Sequence, residues 1–224
     1  MKSVFVCFLA LIFSVNAVFA APTLDDLELL IQKVEKNPNN FALVEELGIM
    51  YHDLSEEHIV DGAKDAVKYL EMAYEINPNP VTKCFLGSAW TMVARDTDNP
   101  IIKLDAVSRG VKMIDGASEE VSEAPGIYIV PFIRMQNSYS LPEDFARMEF
   151  VNNDIAFLLK TYKQTPAVFD DLYDPAEIFL YKGLYLLRDN KTRLAYQFWK
   201  VGLTFVKSES VRFELEKNME RIEG

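Results

Sequence analysis

Basic residues are scarce in this chain of 224, where 23 lysines and arginines stand against 34 acidic residues for a formal charge of -11. Such a balance repels phosphate backbones and anionic lipid headgroups, and no local basic patch reverses it, so neither nucleic acid nor a membrane surface is an expected partner. Cysteine is scarcer still. Cys7 lies in an N-terminal apolar run and Cys84 in the body of the chain, so no disulfide is expected in a processed chain and the fold must rest on packing. The two histidines, His52 and His58, share one acidic stretch. No G-x-S-x-G, H-E-x-x-H or phosphate-cradling glycine loop occurs, which leaves no recognisable nucleophile and base, and the sequence asks for no metal and no cofactor. Strand-like alternation is missing too: "GIYIV" is the one β-rich run, and Pro131 follows it at once.

What the chain does have is apolar residues at half its positions, enough for a substantial core. The first twenty, "MKSVFVCFLALIFSVNAVFA", carry one lysine, an apolar run from Val4 to Phe13 and small residues up to Ala20. That is the pattern of a secretory signal, with Val18 and Ala20 at the -3 and -1 positions and cleavage after Ala20. The alternative is a retained anchor, since Val4 to Ala21 is nearly long enough to span a bilayer. Cleavage removes Lys2 and Cys7, leaving 22 basic and 34 acidic residues and Cys84 as the sole cysteine. The expected product is periplasmic or secreted, with no membrane insertion once the signal is gone.

Downstream, apolar residues recur at spacings of three and four. Leu24, Leu27, Leu30, Ile31 and Val34 form one face behind a Thr23 cap, Phe41, Val44, Leu47 and Tyr51 a second, and Val67, Leu70, Ala73 and Tyr74 a third. "NPNN" and "NPNP" break the series, because proline cannot continue a helix. Further helices are expected over 81–95, 101–114, 125–139 and 142–162, then from an Asp174 cap with Pro175 at the first helical position to Arg188, over 192–206, and finally over about 209–222 as a cap. The fold class is all-α, with nine or ten helices stacked as antiparallel pairs in one domain from residue 21 to 224.

The residues between helices two and three carry more than periodicity. Leu47, Gly48 and Tyr51 are followed by Ala66, Leu70, Ala73 and Pro78. This resembles the tetratricopeptide repeat, W-x2-L-G-x2-Y then A-x3-F, A and P. Gly and Ala let antiparallel helices approach, and proline ends the unit so that the next can stack. A second copy has Leu86, Gly87 and Trp90, then Ala106, Gly110 and Met113; a late one has Gly183 and Leu186, then Ala195, Trp199 and Gly202. Gly-to-Ala separations of 18, 19 and 12 residues show that the first two copies carry extra residues between their helices. These long turns, with "ARDTDNPIIKL" and "LPEDFAR", also look like a set of exported bacterial repeat proteins. The resemblance implies a right-handed superhelix whose concave face binds a peptide or protein without intrinsic catalysis.

In that family the concave face is formed three before and one, four and five after the repeat glycine. Carried over, the positions are Glu45, Ile49, His52 and Asp53, then Cys84, Ser88, Thr91 and Met92, with Leu180, Leu184, Leu187 and Arg188 in the last copy. The competing expectation is that the C-terminal helix covers such positions. Arg95 joins the groove set as a forked donor to a partner carboxylate, against a purely structural role beside the "DTDNP" break, and Arg134 and Arg147 pose the same choice. The turn "HDLSEEHIVD" offers His52, Asp53, Glu56, Glu57, His58 and Asp61 as possible ligands, but its spacing lacks one-face metal geometry. Cys84 is either a reactive thiol or a small apolar residue. The expected function is an exported interaction module for a peptide or protein partner; the alternatives are a metal-dependent hydrolase using turn 52–61 and a structural subunit of an envelope complex.

Overall fold

A computed structural model describes residues 23–169 and 172–223; the signal expected over the first twenty residues lies outside them. Ten α-helices and two 3-10 turns make up the described regular structure, with no strand among these residues. Helix α1, Leu24–Lys36, starts at a capping box in which the Thr23 hydroxyl accepts from the Asp26 amide while the Asp26 carboxylate accepts from the Thr23 amide. The asparagines of the Asn-Pro breaks then do similar work. Asn40 caps α2 (Phe41–Glu56), Asn79 caps α4 (Pro80–Arg95) and Asn99 caps α5 (Pro100–Glu120), the last two with proline at the helix start. Proline there loses nothing, because the first amides of a helix have no partner within it. Between them, α3 spans Ala63–Ile76.

The helix expected over 125–139 is present: "GIYIVP" opens α6 (Gly126–Ser140), with Pro131 inside it. Its Val130 and Ile133 pack on Cys84, Ile114 and Ala117, so burial overrides local β preference. The helix expected from Pro142 instead begins at Met148: a 3-10 turn over Glu143–Phe145 ends at Ala146 in the left-handed region (φ 52°), and only then does α7, Met148–Gln164, start. After a 3-10 turn at Pro166–Phe169 come α8 (Ala176–Arg188), α9 (Thr192–Gly202) and α10 (Glu209–Glu223). Helix α9 stops at Gly202, short of the expected Val206.

Helices α2, α4, α6 and α8 touch in that order to form one layer, and α3, α5, α7 and α9 each pair with the helix preceding them. The segment 125–162 therefore supplies a pair, α6 with α7, in register with the others. Helix α1 packs on α2 at one end, and α10 on α8 and α9 at the other. Small residues set the closest approach. A Cβ on Gly87 would lie 2.7 Å from the Gly110 carbonyl oxygen, and one on Gly110 would lie 2.5 Å from that of Gly87, so these backbones meet where no side chain can stand.

Candidate binding site in the first-helix layer

The signature residues themselves are scaffold. Gly48 faces Leu70, and Leu47, Ala66, Leu70 and Ala73 are fully buried. The positions carried over to the concave face behave in three ways. Glu45 and Ile49 are half-buried: the Glu45 carboxylate accepts from the Thr82 hydroxyl, and Ile49 packs against the α3–α5 core. Cys84 is a correction. It has no exposed surface, sits among Ile114, Val130 and Ile133, and burial pushes its thiol far above the ordinary range, so it belongs to the core and neither to a groove nor to redox chemistry.

His52, Asp53, Ser88, Thr91 and Asn137 form one polar chain across three helices. His52 Nδ1 lies 2.8 Å from Asp53 Oδ1, and His52 Nε2 lies 2.7 Å from Ser88 Oγ. The Asn137 amide, on α6, donates to Ser88 Oγ at 3.0 Å, and Thr91 Oγ1 lies 2.6 Å from Asn137 Oδ1. Burial opposes charging of His52, but the hydrogen bond and charge of Asp53, with Glu56 behind it, outweigh that and hold its pKa above the ordinary value. As imidazolium, it donates from both nitrogens. Buried groups of this kind are costly unless all are paired, and here they are, which fixes α2, α4 and α6 against one another.

Ser88, His52 and Asp53 have the distances of a nucleophile, base and orienting acid, a constellation invisible in sequence because 36 residues separate Ser88 from His52. Its surroundings argue for structure. Ser88 lies inside α4, where its backbone amide is already used by the helix, and both it and His52 are 4% exposed. His52, Asp53 and Glu56 also bring ligand atoms within 4.8 Å of one another. Both ring nitrogens of His52 are engaged, however, and His58 stands apart, exposed and left-handed at φ 58°.

The arginines offered to a partner are taken. The Arg95 guanidinium binds Asp96 and the Ser55 carbonyl. Arg134 forms a two-pronged pair with Asp154, and Arg147 with Asp115. Both of the latter stack near the Phe150 ring. At the far end, Leu180, Leu184 and Leu187 join Val211, Leu215 and Met219 in one cluster, so α10 covers them. Arg188 instead lies over the Tyr139 ring and donates to its carbonyl.

Beside the polar chain a cavity of about 720 Å³ opens between α4, α5, α6 and the 141–145 segment. Ser88, Thr91, Met92 and Arg95 from the expected set line it. Sequence reading missed its other walls: Leu104 and Val107 on α5, Gln136 and Asn137 on α6, and Leu141 and Phe145 beyond. Gln136 and Asn137, adjacent polar residues that follow the mostly apolar run opening α6, were the available signal. Glu177, at the start of α8, accepts from Gln136 Nε2 at 2.8 Å. Burial, then the charges of Glu56, Asp174 and Asp53, push its carboxyl up to about 8. Two of those charges, Glu56 and Asp53, lie on α2, three helices back along the layer. Asp174, expected as a cap, does so by accepting from the Ala176 amide, and its other oxygen accepts from the Lys207 and Ser208 amides ahead of α10.

These features define the class: an all-α stack of antiparallel helix pairs with a cavity in its first-helix layer. The chain matches no protein family, no curated protein and no solved structure. Among the described residues no helix is long and apolar enough to cross a membrane.

Proposed function

We propose that the protein is an exported interaction module of the tetratricopeptide type that holds a segment of a peptide or protein partner in this cavity and has no chemistry of its own. One observation carries the reading: a cavity of about 720 Å³ combines an apolar wall of Met92, Leu104, Val107 and Phe145 with polar groups from four helices. That is the usual make-up of a recognition pocket, apolar area for affinity and few polar atoms for register. Export rests on the N-terminal twenty residues. A photo-crosslinking residue at Leu104, 63% exposed on the cavity wall, is expected to give discrete adducts in the cells that make the protein, and one at Phe213, 61% exposed on α10, is expected to give none. Equal yields from both sites would end the reading. The Ser88, His52 and Asp53 arrangement supplies the rival, and a fluorophosphonate probe separates them: Ser88 is expected to stay unlabelled, whereas stoichiometric labelling would make the protein a hydrolase.

A further inference from the structure

Exposed aliphatic side chains stand on two helices toward opposite ends of the stack. On α9, Leu194 and Val201 are 46% and 47% exposed, and on α1 Leu29 is 52% exposed. Neither helix lines the cavity between α4, α5 and α6, so these residues belong to a different surface.

Helix α9 turns Ala195, Trp199 and Gly202 inward and leaves Arg193, Leu194, Gln197, Lys200 and Val201 in solvent. In a chain of formal charge -11, this one helix carries two cations and no acid. Leu194 and Val201 are seven residues apart, two turns or about 10.5 Å along one line of the helix. Arg193 and Lys200 repeat that spacing one residue earlier. Neither cation has an ion pair or a side-chain hydrogen bond within the described chain.

Helix α1 offers the complement. Its Leu27, Leu30 and Val34 are buried, while Asp25, Glu28, Leu29, Gln32 and Glu35 are exposed. The helix carries four acids against Lys33 and Lys36, and Asp26 is taken by the Thr23 cap. Glu28 and Glu35 are unpaired, again seven residues apart, and Glu28 again stands one residue before the exposed Leu29. Charges with the same offset from an apolar seam share one side of a helix pair only when the helices run antiparallel, because reversing one helix brings like-numbered flanks together. In the antiparallel register that sets Glu28 opposite Lys200, Glu35 falls opposite Arg193 and Leu29 enters the space between Leu194 and Val201. On the other flank Lys33 meets the half-buried Phe198, not a cation.

We infer that these faces bind one another in two copies of the chain, α1 of one molecule lying antiparallel on α9 of the next. The two patches differ, so the contact is head-to-tail and leaves each bound copy a free face for another. One helix pair buries far less than a standard interface, so the association is weak and falls with added salt.

The test is sedimentation equilibrium of chain purified after expression of all 224 residues, from about 10 μM to about 1 mM. The weight-average mass is expected to climb past that of two chains at low salt, with association at least about tenfold weaker at about 0.5 M than at about 0.05 M sodium chloride. Glu28→Lys with Glu35→Lys, and separately Arg193→Glu with Lys200→Glu, are each expected to leave single chains of unchanged helical content by circular dichroism. Mixing the two variants is expected to restore association, because reversed faces then meet reversed ones. A single-chain mass at every concentration, association that survives either reversal, or a mixture of folded variants that stays apart overturns the pairing. Flotation of the unsubstituted single chain with phosphatidylglycerol vesicles, lost on Arg193→Glu with Lys200→Glu, would give the α9 face to an anionic surface and overturn it too. None of these outcomes touches the cavity, so the interaction-module reading stands or falls separately.

Discussion

The two halves of the stack reach similar helix pairing by opposite means. From α2 to α5 the helices are drawn together by absence: Gly48 against Leu70, Gly87 against Gly110, and alanines at Ala66, Ala73, Ala89 and Ala106. From α6 to α10 the space is filled by rings. Phe132 stacks on Tyr173 with centroids 3.6 Å apart, while Tyr162, Phe169, Phe179 and Phe205 meet one another edge-on or tilted. Trp199 closes the late pair, its indole donating to the Leu180 carbonyl at 3.0 Å above Gly183. Backbone contacts cannot yield, whereas rings on rotatable side chains can. The first half should therefore resist addition, and the second should tolerate exchange.

The sharpest way to break that comparison is to add one methyl group to the first half and reshape one ring in the second. Gly87→Ala gains about 1 kcal/mol in helix propensity but drives a Cβ into the Gly110 carbonyl, for a net loss of about 2 kcal/mol in urea denaturation. Phe205→Leu is expected to cost about 1 kcal/mol, because the neighbouring rings can repack. If the ring exchange proves the costlier, the contrast between the halves fails. Next in size, Ser88→Ala leaves His52 Nε2 without its partner and the Asn137 amide with only the Ile133 carbonyl, and about 1–2 kcal/mol should be lost by the same measurement. Because the polar chain ties α2 to α6, it marks where the tightly approached half hands over to the aromatic one.

The smallest effect depends on pH. The Glu177 carboxyl titrates at about 8 in the folded chain against an ordinary 4.5, so the folded form holds its proton more firmly than the unfolded one. Its contribution to stability is complete below about 4.5 and is lost as pH rises through 8. Glu177→Gln removes the ionisation and should stabilise the chain at pH 8, on the order of 1 kcal/mol, with no gain at pH 4. Melting curves at the two pH values check it.

Much of the fold could be read from the chain because its determinants are local. Asn-Pro breaks, a capping box and 3.6-residue periodicity act within a turn or two, and they placed nearly every helix. They failed where tertiary contacts won. Ala146 takes a left-handed conformation that delays α7 to Met148, and α9 ends at Gly202 rather than Val206. The site was legible only in part. Spacing from Gly87 led to Ser88, Thr91 and Met92 on the cavity wall, but the same rule chose Cys84, which the arrival of α6 buries.

By itself the sequence determined that the chain is a series of amphipathic helices, where most of them begin, and which small residues let them touch. Tertiary structure alone decided which polar groups meet. Ser88 reaches His52 across 36 residues, Asn137 reaches Ser88 across 49, and Gln136 reaches Glu177 across 41. Helix formation is set by neighbours along the chain, whereas a binding site is set by neighbours in space, and the packing of one layer determines which side chains share a cavity.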